Sequence, residues 1–258
     1  MKTLTFVIPV YNEEKRLEKT FKALLKGVFF AGISLEKIIF VDDGSTDKTM
    51  SQIKKHKSRI QKKTKAKIKI INYKGNKGKG YAVKKGMLTS KSDYTLLFDA
   101  DMSTPITEFK KFIPFIKKNI PVIIGTRKNG ESTVVKPQPL YRQILGRGFT
   151  LLSNLILNTK VTDFTCGFKA FSKIAKNEIF TYSKIKRWGY DAEIIYLATK
   201  TGLEIQEKAV KWSDDKRSKV NVLRDIFESF KELIEIRTND YKGAYDRIKV
   251  FKSFVYLR

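Results

Sequence analysis

Over the first hundred residues, short apolar runs rich in β-branched side chains alternate with stretches whose apolar positions recur every three or four residues. The runs predict strands at Thr3–Val10, Lys37–Val41, Lys67–Tyr73 and Tyr94–Phe98, and the periodic stretches predict helices at Glu14–Lys26, Asp47–Ile60 and Gly80–Leu88. Strands that alternate with helices in this way form a mainly parallel sheet flanked by helices, with ligands bound beyond the carboxyl ends of the strands. Thr104 and Pro105 read as an N-cap and first-turn pair opening another helix to Lys118, and Pro121–Gly125 reads as a strand. Residues 128–139 contain Gly130, Pro137 and Pro139 without periodicity, which predicts a mobile flap. An apolar helix, Leu140–Leu157, follows it.

The pattern changes after residue 215, dividing the chain into an α/β domain, 1–215, and an amphipathic helical extension, 216–258. In the extension Val222, Ile226, Phe230, Leu233 and Ile236 are expected on one helix face. A basic-aromatic tail, FKSFVYLR, comes last and suits a membrane interface or a packing role. The apolar start LTFVIPVY meets Asn12, Glu13 and Glu14 too early for a signal segment, and no uncharged apolar stretch reaches the ~18 residues of a spanning helix.

Charge narrows the partners: 53 Lys+Arg against 26 Asp+Glu gives +27, which favours nucleic acid, an anionic membrane surface or phosphorylated substrates. The densest basic run is Lys54 to Lys69. One cysteine, Cys166, and one histidine, His56, exclude an internal disulfide and a zinc site, and point to a reducing compartment. Any metal must therefore sit on oxygen.

The chemistry-bearing motifs fall at predicted strand ends. FDAD places Asp99 and Asp101 where an apolar strand meets the ligand edge, so that both can reach one hard cation that keeps positions open for phosphate oxygens. VDDGSTD supplies Asp42 and Asp43 as acceptors for nucleoside N–H and O–H groups, or else as the caps of a turn. YKGNKGKGYAVKKG offers Gly75, Gly78 and Gly80 with Lys77 and Lys79 at a strand-to-helix turn suited to phosphate. It is no dinucleotide fingerprint, because Val83 stands at the third glycine position, and no Walker loop, because Tyr81 and Ala82 follow Gly80. Arg127 ends the GTR strand. Arg142 and Arg147 lie about 140° apart on their helix, so both cannot point into one site without a break at Gly146, and Arg142 is the choice for phosphate.

VIPVYNEE, VDDGSTDKT, NKGKGYAVKKG, FDAD, GTR, TDFTCGFKAF and RWGYDAEI, in this order over residues 4–215, resemble the family 2 glycosyltransferases, and CGFKAF with RWGYDAE is most similar to the polyprenyl-phosphate (dolichyl-phosphate) glucosyltransferases, then the mannosyltransferases. The resemblance implies the GT-A fold, a Rossmann-like mixed, mainly parallel sheet. It also implies roles. Pro9, Tyr11, Glu13, Asp42 and Asp43 would line the nucleoside pocket; Asp99, Ala100 and Asp101 would hold Mg²⁺ or Mn²⁺ and the donor diphosphate, with Lys79 nearby. Arg127 and Arg142 match positions that meet phosphate, Asp163, Gly167, Phe168 and Lys169 fall in the acceptor-side motif, and Trp188, Asp191 and Glu193 face the transferred sugar. Cys166 of that motif reads as a packing residue. UDP-glucose is the favoured donor, GDP-mannose the second, and the work would be done at the cytosolic face of a membrane, with or without a membrane-protein partner. The chain departs from many relatives in showing no apolar anchor, and from the processive members in carrying IKRW, Ile185 to Trp188, where they carry Gln-x-x-Arg-Trp.

A phosphate acceptor needs no general base, since a phosphomonoester with its second pKa near ~6 is already an anionic nucleophile at neutral pH. A hydroxyl acceptor is the alternative and would promote Asp191 or Glu193 to base. A nucleic-acid-binding module fits poorly, because the basic residues spread along the whole chain and carboxylates gather at strand ends. A noncatalytic scaffold would have no reason to keep both aspartates of FDAD.

Overall fold

The computed structural model describes residues 1–128, 130–137, 139–215 and 222–251. Four strands, β1 (Lys2–Val10), β2 (Ile33–Asp42), β3 (Lys67–Asn72) and β4 (Tyr94–Phe98), lie parallel, joined through helices α1 (Leu17–Leu25), α2 (Thr49–Thr64) and α3 (Lys79–Thr89). Two more, β5 (Val122–Thr126) and β8 (Ile205–Ala209), pair in the same sense. Between the two groups β7 (Phe168–Ser172) runs antiparallel to both β4 and β5, giving the order β3-β2-β1-β4-β7-β5-β8. The sheet is therefore mixed and mainly parallel.

The period of two along each strand splits the core into two layers. On β1, Leu4, Phe6, Ile8 and Val10 join Phe21, Leu24 and Ile53 of α1 and α2 on one side. Val7, with Ile39 and Val41 of β2, packs on the other under α3, α6 (Lys173–Tyr182) and α7 (Tyr190–Lys200). Phe6 stacks edge-on against Phe98 at 5.4 Å, which ties β1 to β4 beneath the FDAD motif.

Three sequence expectations are corrected. The helix expected from Pro105 to Lys118 is a 3-10 turn, Ile106–Lys111, followed by the short α4 (Ile113–Lys117), and Pro105 is the extended residue before the turn. Pro114 has no N–H to donate and its ring crowds the preceding turn, so the helix restarts there. The flap carries a strand, β6 (Val134–Lys136), paired in parallel with β9 (Trp212–Ser213), and Trp212 N–H donates to the Thr133 carbonyl at 2.9 Å. The segment therefore contains a short paired strand that composition alone does not show.

In α8 (Val222–Tyr241), Leu233 and Ile236 are buried but Phe230 is exposed, because the helix packs against both α5 (Leu140–Leu157) and α7 and so turns a different face inward. The side chains of Val222 and Ile226, and the tail after Phe251, lie outside the described residues. Phe251 itself donates its N–H to the Thr201 carbonyl at 2.7 Å. No helix among the described residues is long and apolar enough to cross a membrane.

Candidate active site

The carboxyl ends of β1, β4 and β5 open into one cleft of about 770 Å³. Pro9 lines it at the end of β1, Tyr11 and Glu13 just after that strand, Lys79 at the start of α3, Asp99 to Asp101 after β4, Arg127 after β5, and Arg142 on α5. Gly167, Trp188 and Asp191 complete the inner wall.

Asp99 and Asp101 form the floor. The Lys79 ammonium pairs with Asp99 at 2.6 Å and lies 5.7 Å from the Trp188 ring centre. Arg16 bridges Glu13 and Asp101, reaching the latter at 3.2 Å, while Ser103 N–H donates to Asp101 at 2.9 Å. Burial raises the Asp101 carboxyl, and the negative charge of Asp99 raises it further. Burial pulls the Lys79 ammonium down, but Asp99 and Asp191 outweigh it and the net shift is upward. The floor thus concentrates more negative charge than its neighbours relax.

A divalent cation fits this floor. The donors are hard oxygens, and the mutual repulsion of two carboxylates is what a cation would relieve. Among the described residues no group of three or more His, Cys, Asp or Glu could hold a metal. Further coordination places would go to phosphate oxygens and water.

Asp43 organises the donor side without reaching far into it. Its carboxylate accepts from Tyr73 Oη at 2.9 Å, Asn76 Nδ2 at 2.9 Å, Lys77 N at 2.8 Å and Gly78 N at 2.9 Å. Four donors occupy the lone pairs a nucleoside would need. The glycine-rich turn is held in place as a result. At Gly78 φ is +103° and an added Cβ would lie 2.3 Å from the Lys186 carbonyl oxygen, so only glycine brings this turn against residues 185–188. Tyr81 N–H donates to that same carbonyl at 3.0 Å, which couples the lysine of the turn to Trp188.

The opposite wall is cationic. Arg127 grips Asp163 with two parallel bonds, Nε to Oδ2 at 2.7 Å and Nη2 to Oδ1 at 2.8 Å, donates to Thr165 Oγ1 at 2.8 Å, and stacks 5.2 Å from Trp212. Burial would raise the Asp163 carboxyl, but the Arg127 guanidinium prevails and holds it well below the usual carboxylate range. Arg142 is different: its Nε is buried yet has no hydrogen-bond partner among the described residues. A half-buried cation with a buried, unsatisfied donor in a cleft is built for an anion.

Asp191, in the first turn of α7, lines the cleft and takes an ion pair at 2.5 Å from Lys169, which is wholly buried and also donates to the Cys166 carbonyl at 2.7 Å. Burial pushes the Cys166 thiol up to about 11, and it packs as an inert hydrophobe.

Several predicted residues do not line the cleft. Asp42 is buried and closes its turn by accepting from Ser45 N at 3.2 Å. Phe168 is core, its ring edge-on to Phe112 at 5.3 Å. Asp163 and Lys169 act through Arg127 and Asp191, being fully buried themselves. Glu193, also fully buried, accepts from Lys184 N at 2.6 Å, Ile185 N at 2.9 Å and Tyr245 Oη at 2.7 Å, so it anchors the 184–189 loop and is not placed to face a sugar or act as base. Missed by sequence reasoning were Arg16, Asn76, Phe149, Trp212, Asp214, Asp215, Glu228 and Ser229, all of which line the cleft. The i,i+3 spacing of Glu13 and Arg16 was a usable signal for the first. Trp212 beside Asp214 and Asp215 was another.

The model for glycosyl transferase family 2 matches residues 5–180. The dolichyl-phosphate beta-glucosyltransferase of Dictyostelium discoideum is 31% identical over 254 residues, covering 94% of this chain and 76% of that one. The enzymes of that name from Homo sapiens (30%, 95% and 78%) and Saccharomyces cerevisiae (31%, 94% and 76%) are similar. Among solved structures, glucosyl-3-phosphoglycerate synthase from Mycobacterium tuberculosis in complex with UDP superposes with a TM-score of 0.63 at 16% identity, over 91% of this chain and 80% of that one. The same synthase in complex with Mn²⁺, UDP-glucose and glycerol 3-phosphate gives 0.63 at 15%, over the same shares. These superpositions show that the sheet and its helices are the GT-A fold.

Proposed function

The chain belongs to glycosyl transferase family 2, and from that premise we propose that it transfers glucose, with inversion, from UDP-glucose to a dolichyl-type polyprenyl phosphate. The observation that carries this reading is the pairing, across one cleft, of an acidic floor at Asp99 and Asp101 with a second cationic wall at Arg127 and Arg142. A floor of carboxylates serves a cation-bound donor diphosphate; a wall with an unsatisfied buried guanidinium Nε serves a second phosphate. Relatives at 30–31% identity bear the name dolichyl-phosphate beta-glucosyltransferase, and solved neighbours hold UDP and UDP-glucose, which favours uridine and glucose over GDP-mannose.

A divalent cation, Mg²⁺ or Mn²⁺, bound at Asp99 and Asp101 would supply neutralisation of the leaving diphosphate. The residues do the rest. Lys79 adds positive charge beside the floor, Tyr11 and the Asp43-held turn shape the nucleoside end, and Trp188 offers a ring face to the sugar. Arg142, steadied by its place on α5, draws the acceptor phosphate in line with the anomeric carbon; the C–O bond to phosphate forms as the bond to the diphosphate breaks. No proton has to be removed from a phosphate oxyanion. That suits Asp191, whose Oδ1 is already engaged by Lys169. The setting is the cytosolic surface of a membrane, where such acceptors are anchored.

The test is incubation of the purified chain with Mg²⁺ or Mn²⁺, a short polyprenyl phosphate and a panel of uridine- and guanosine-diphosphate sugars, with lipid products read by mass spectrometry. A hexosyl-phosphoryl lipid made from UDP-glucose and absent with Asp101→Ala supports the assignment. Binding of UDP-glucose without any lipid product moves the acceptor to a hydroxyl.

A further inference from the structure

Helix α5 is amphipathic in an inverted sense. Arg142, Gly146 and Phe149 face the cleft, whereas Leu140, Ile144, Leu151 and Leu155 face solvent, exposed to 71, 61, 74 and 78%. At ~100° per residue those four aliphatic side chains fall within a stripe about 60° wide, and Arg142 and Phe149 lie about 180° to 200° round the helix from Leu140. Exposed Tyr141, with Val134 and Val135 on β6, carries the apolar surface to the cleft rim. A surface helix of a water-soluble domain turns its aliphatic stripe inward; an outward one marks a surface that something covers.

Charge says what covers it. From Ser132 to Leu157 every charged side chain is basic: Lys136, Arg142 and Arg147. Lys136 and Arg147 are exposed, and the latter borders the stripe about 20° from Leu140. A second copy seated on this face would bring cations against cations with no carboxylate from the helix to answer them. Aliphatic side chains flanked by lysine and arginine are what the headgroup and acyl boundary of an anionic bilayer accepts.

We infer that α5 and the β6 rim form the membrane-docking surface of this protein, lying in the headgroup layer of an anionic bilayer with the cleft directly behind. The orientation deepens the acceptor assignment and rests on it: one helix separates lipid from cleft, so a lipid-borne phosphate reaches Arg142 by passing about one helix diameter, ~10 Å. The lysine-rich run of α2 plays no such part. Its exposed positions, among them Lys54, Lys57 and Lys62, include no large apolar residue, and the helix descends from the carboxyl edge of β2 toward the amino end of β3, away from the cleft.

The full chain is tested by co-sedimentation with phosphatidylcholine vesicles containing or lacking phosphatidylserine, and no polyprenyl phosphate, so that binding is read independently of turnover. Wild type is expected to bind the anionic vesicles, more weakly as salt rises, and Leu151→Glu/Leu155→Glu to lose about a hundredfold in partition with an unchanged thermal melt. Hydrogen exchange of the unmutated protein should slow across residues 133–157 when anionic vesicles are added. The double variant should keep turnover on a short, water-soluble isoprenyl phosphate and lose it on a long-chain acceptor in vesicles. Equal binding by variant and wild type, or no binding by wild type, overturns the docking surface. So does a dimer that the variant dissociates without any vesicle binding. If neither protein glycosylates any lipid phosphate while vesicle binding follows the expected pattern, the acceptor assignment falls and the docking surface stands.

Discussion

Replacing Gly167 by alanine isolates the floor of the cleft. An added Cβ would sit 2.0 Å from Asp99 Oδ2, 2.5 Å from its Cγ and 2.9 Å from Oδ1, where ordinary contact begins at 3.4 Å. The carboxylate must therefore retreat by about 1.4 Å, the shortfall between 3.4 and 2.0 Å, which also breaks its 2.6 Å contact with Lys79. Misplacing a reacting group by ~1 Å costs on the order of a hundredfold, so kcat/KM should fall about that much, equivalent to ~2.7 kcal/mol of transition-state stabilisation. Folding should suffer little. Gly167 does not occupy the left-handed region, and the clash is with the partly exposed end of a side chain that can rotate, so the stability loss should stay below about 1.5 kcal/mol. Transfer kinetics and a thermal melt on Gly167→Ala, Asp99→Ala and the double variant check both halves. The double variant should match Asp99→Ala, because the alanine acts only through that carboxylate. Gly167→Ala within threefold of wild type, or a double variant much worse than Asp99→Ala, would refute the reasoning.

Three other outcomes are expected. Arg142→Ala should lower transfer at least tenfold while shifting the thermal midpoint by only a few degrees, since its Nε gives up no internal bond; a large midpoint shift in calorimetry would mark it as structural. Asp163→Asn should destabilise by about 3–5 kcal/mol by leaving Arg127 buried and unpaired. Because the folded state depresses the Asp163 carboxyl, its contribution is full above the unfolded value of ~3.9 and is lost as pH falls, so the gap between wild type and variant in denaturant titrations should narrow with acidification; a gap that widened would contradict the pairing. Cys166, its thiol pushed up to about 11, should resist alkylation at pH 8 until the protein unfolds, and rapid labelling of the native chain by mass spectrometry would contradict its burial.

The alternation of short β-branched runs with periodic helices made the parallel half of the sheet legible, because β1, β4 and the second half of β2 are buried on both faces and almost wholly apolar, while the edge strand β3 alternates exposed Lys67 and Lys69 with buried Ile68. β7 was harder to see: Lys169 interrupts CGFKAF, and its charge is answered by Asp191, 22 residues away in sequence, a partner no local pattern reveals. The same holds in the site. Asp99, Asp101, Arg127 and Arg142 could be named from their positions at strand ends or beside an apolar helix. Which acids point into the cleft could not, because Asp42, Asp163 and Glu193 differ from Asp43 and Asp191 only in contacts made across the fold. Pro114 was an overlooked helix break, and the pairing of β6 with β9 joins residues nearly eighty positions apart.

The antiparallel strand has a consequence for how the molecule is made. β3-β2-β1-β4 and β5-β8 have no direct sheet contact; β7 alone bridges them. A nascent chain emerging from the ribosome can zip the first four strands, yet β5 must wait unpaired until residue 172 has been synthesised and slotted between its neighbours. Gly167, immediately before this late keystone, meets Asp99 only at that moment. Binding competence therefore cannot precede the docking of β7, and a fragment ending before it would have an acidic ledge, held by Arg16 and Lys79, without the inner wall of Gly167, Trp188 and Asp191.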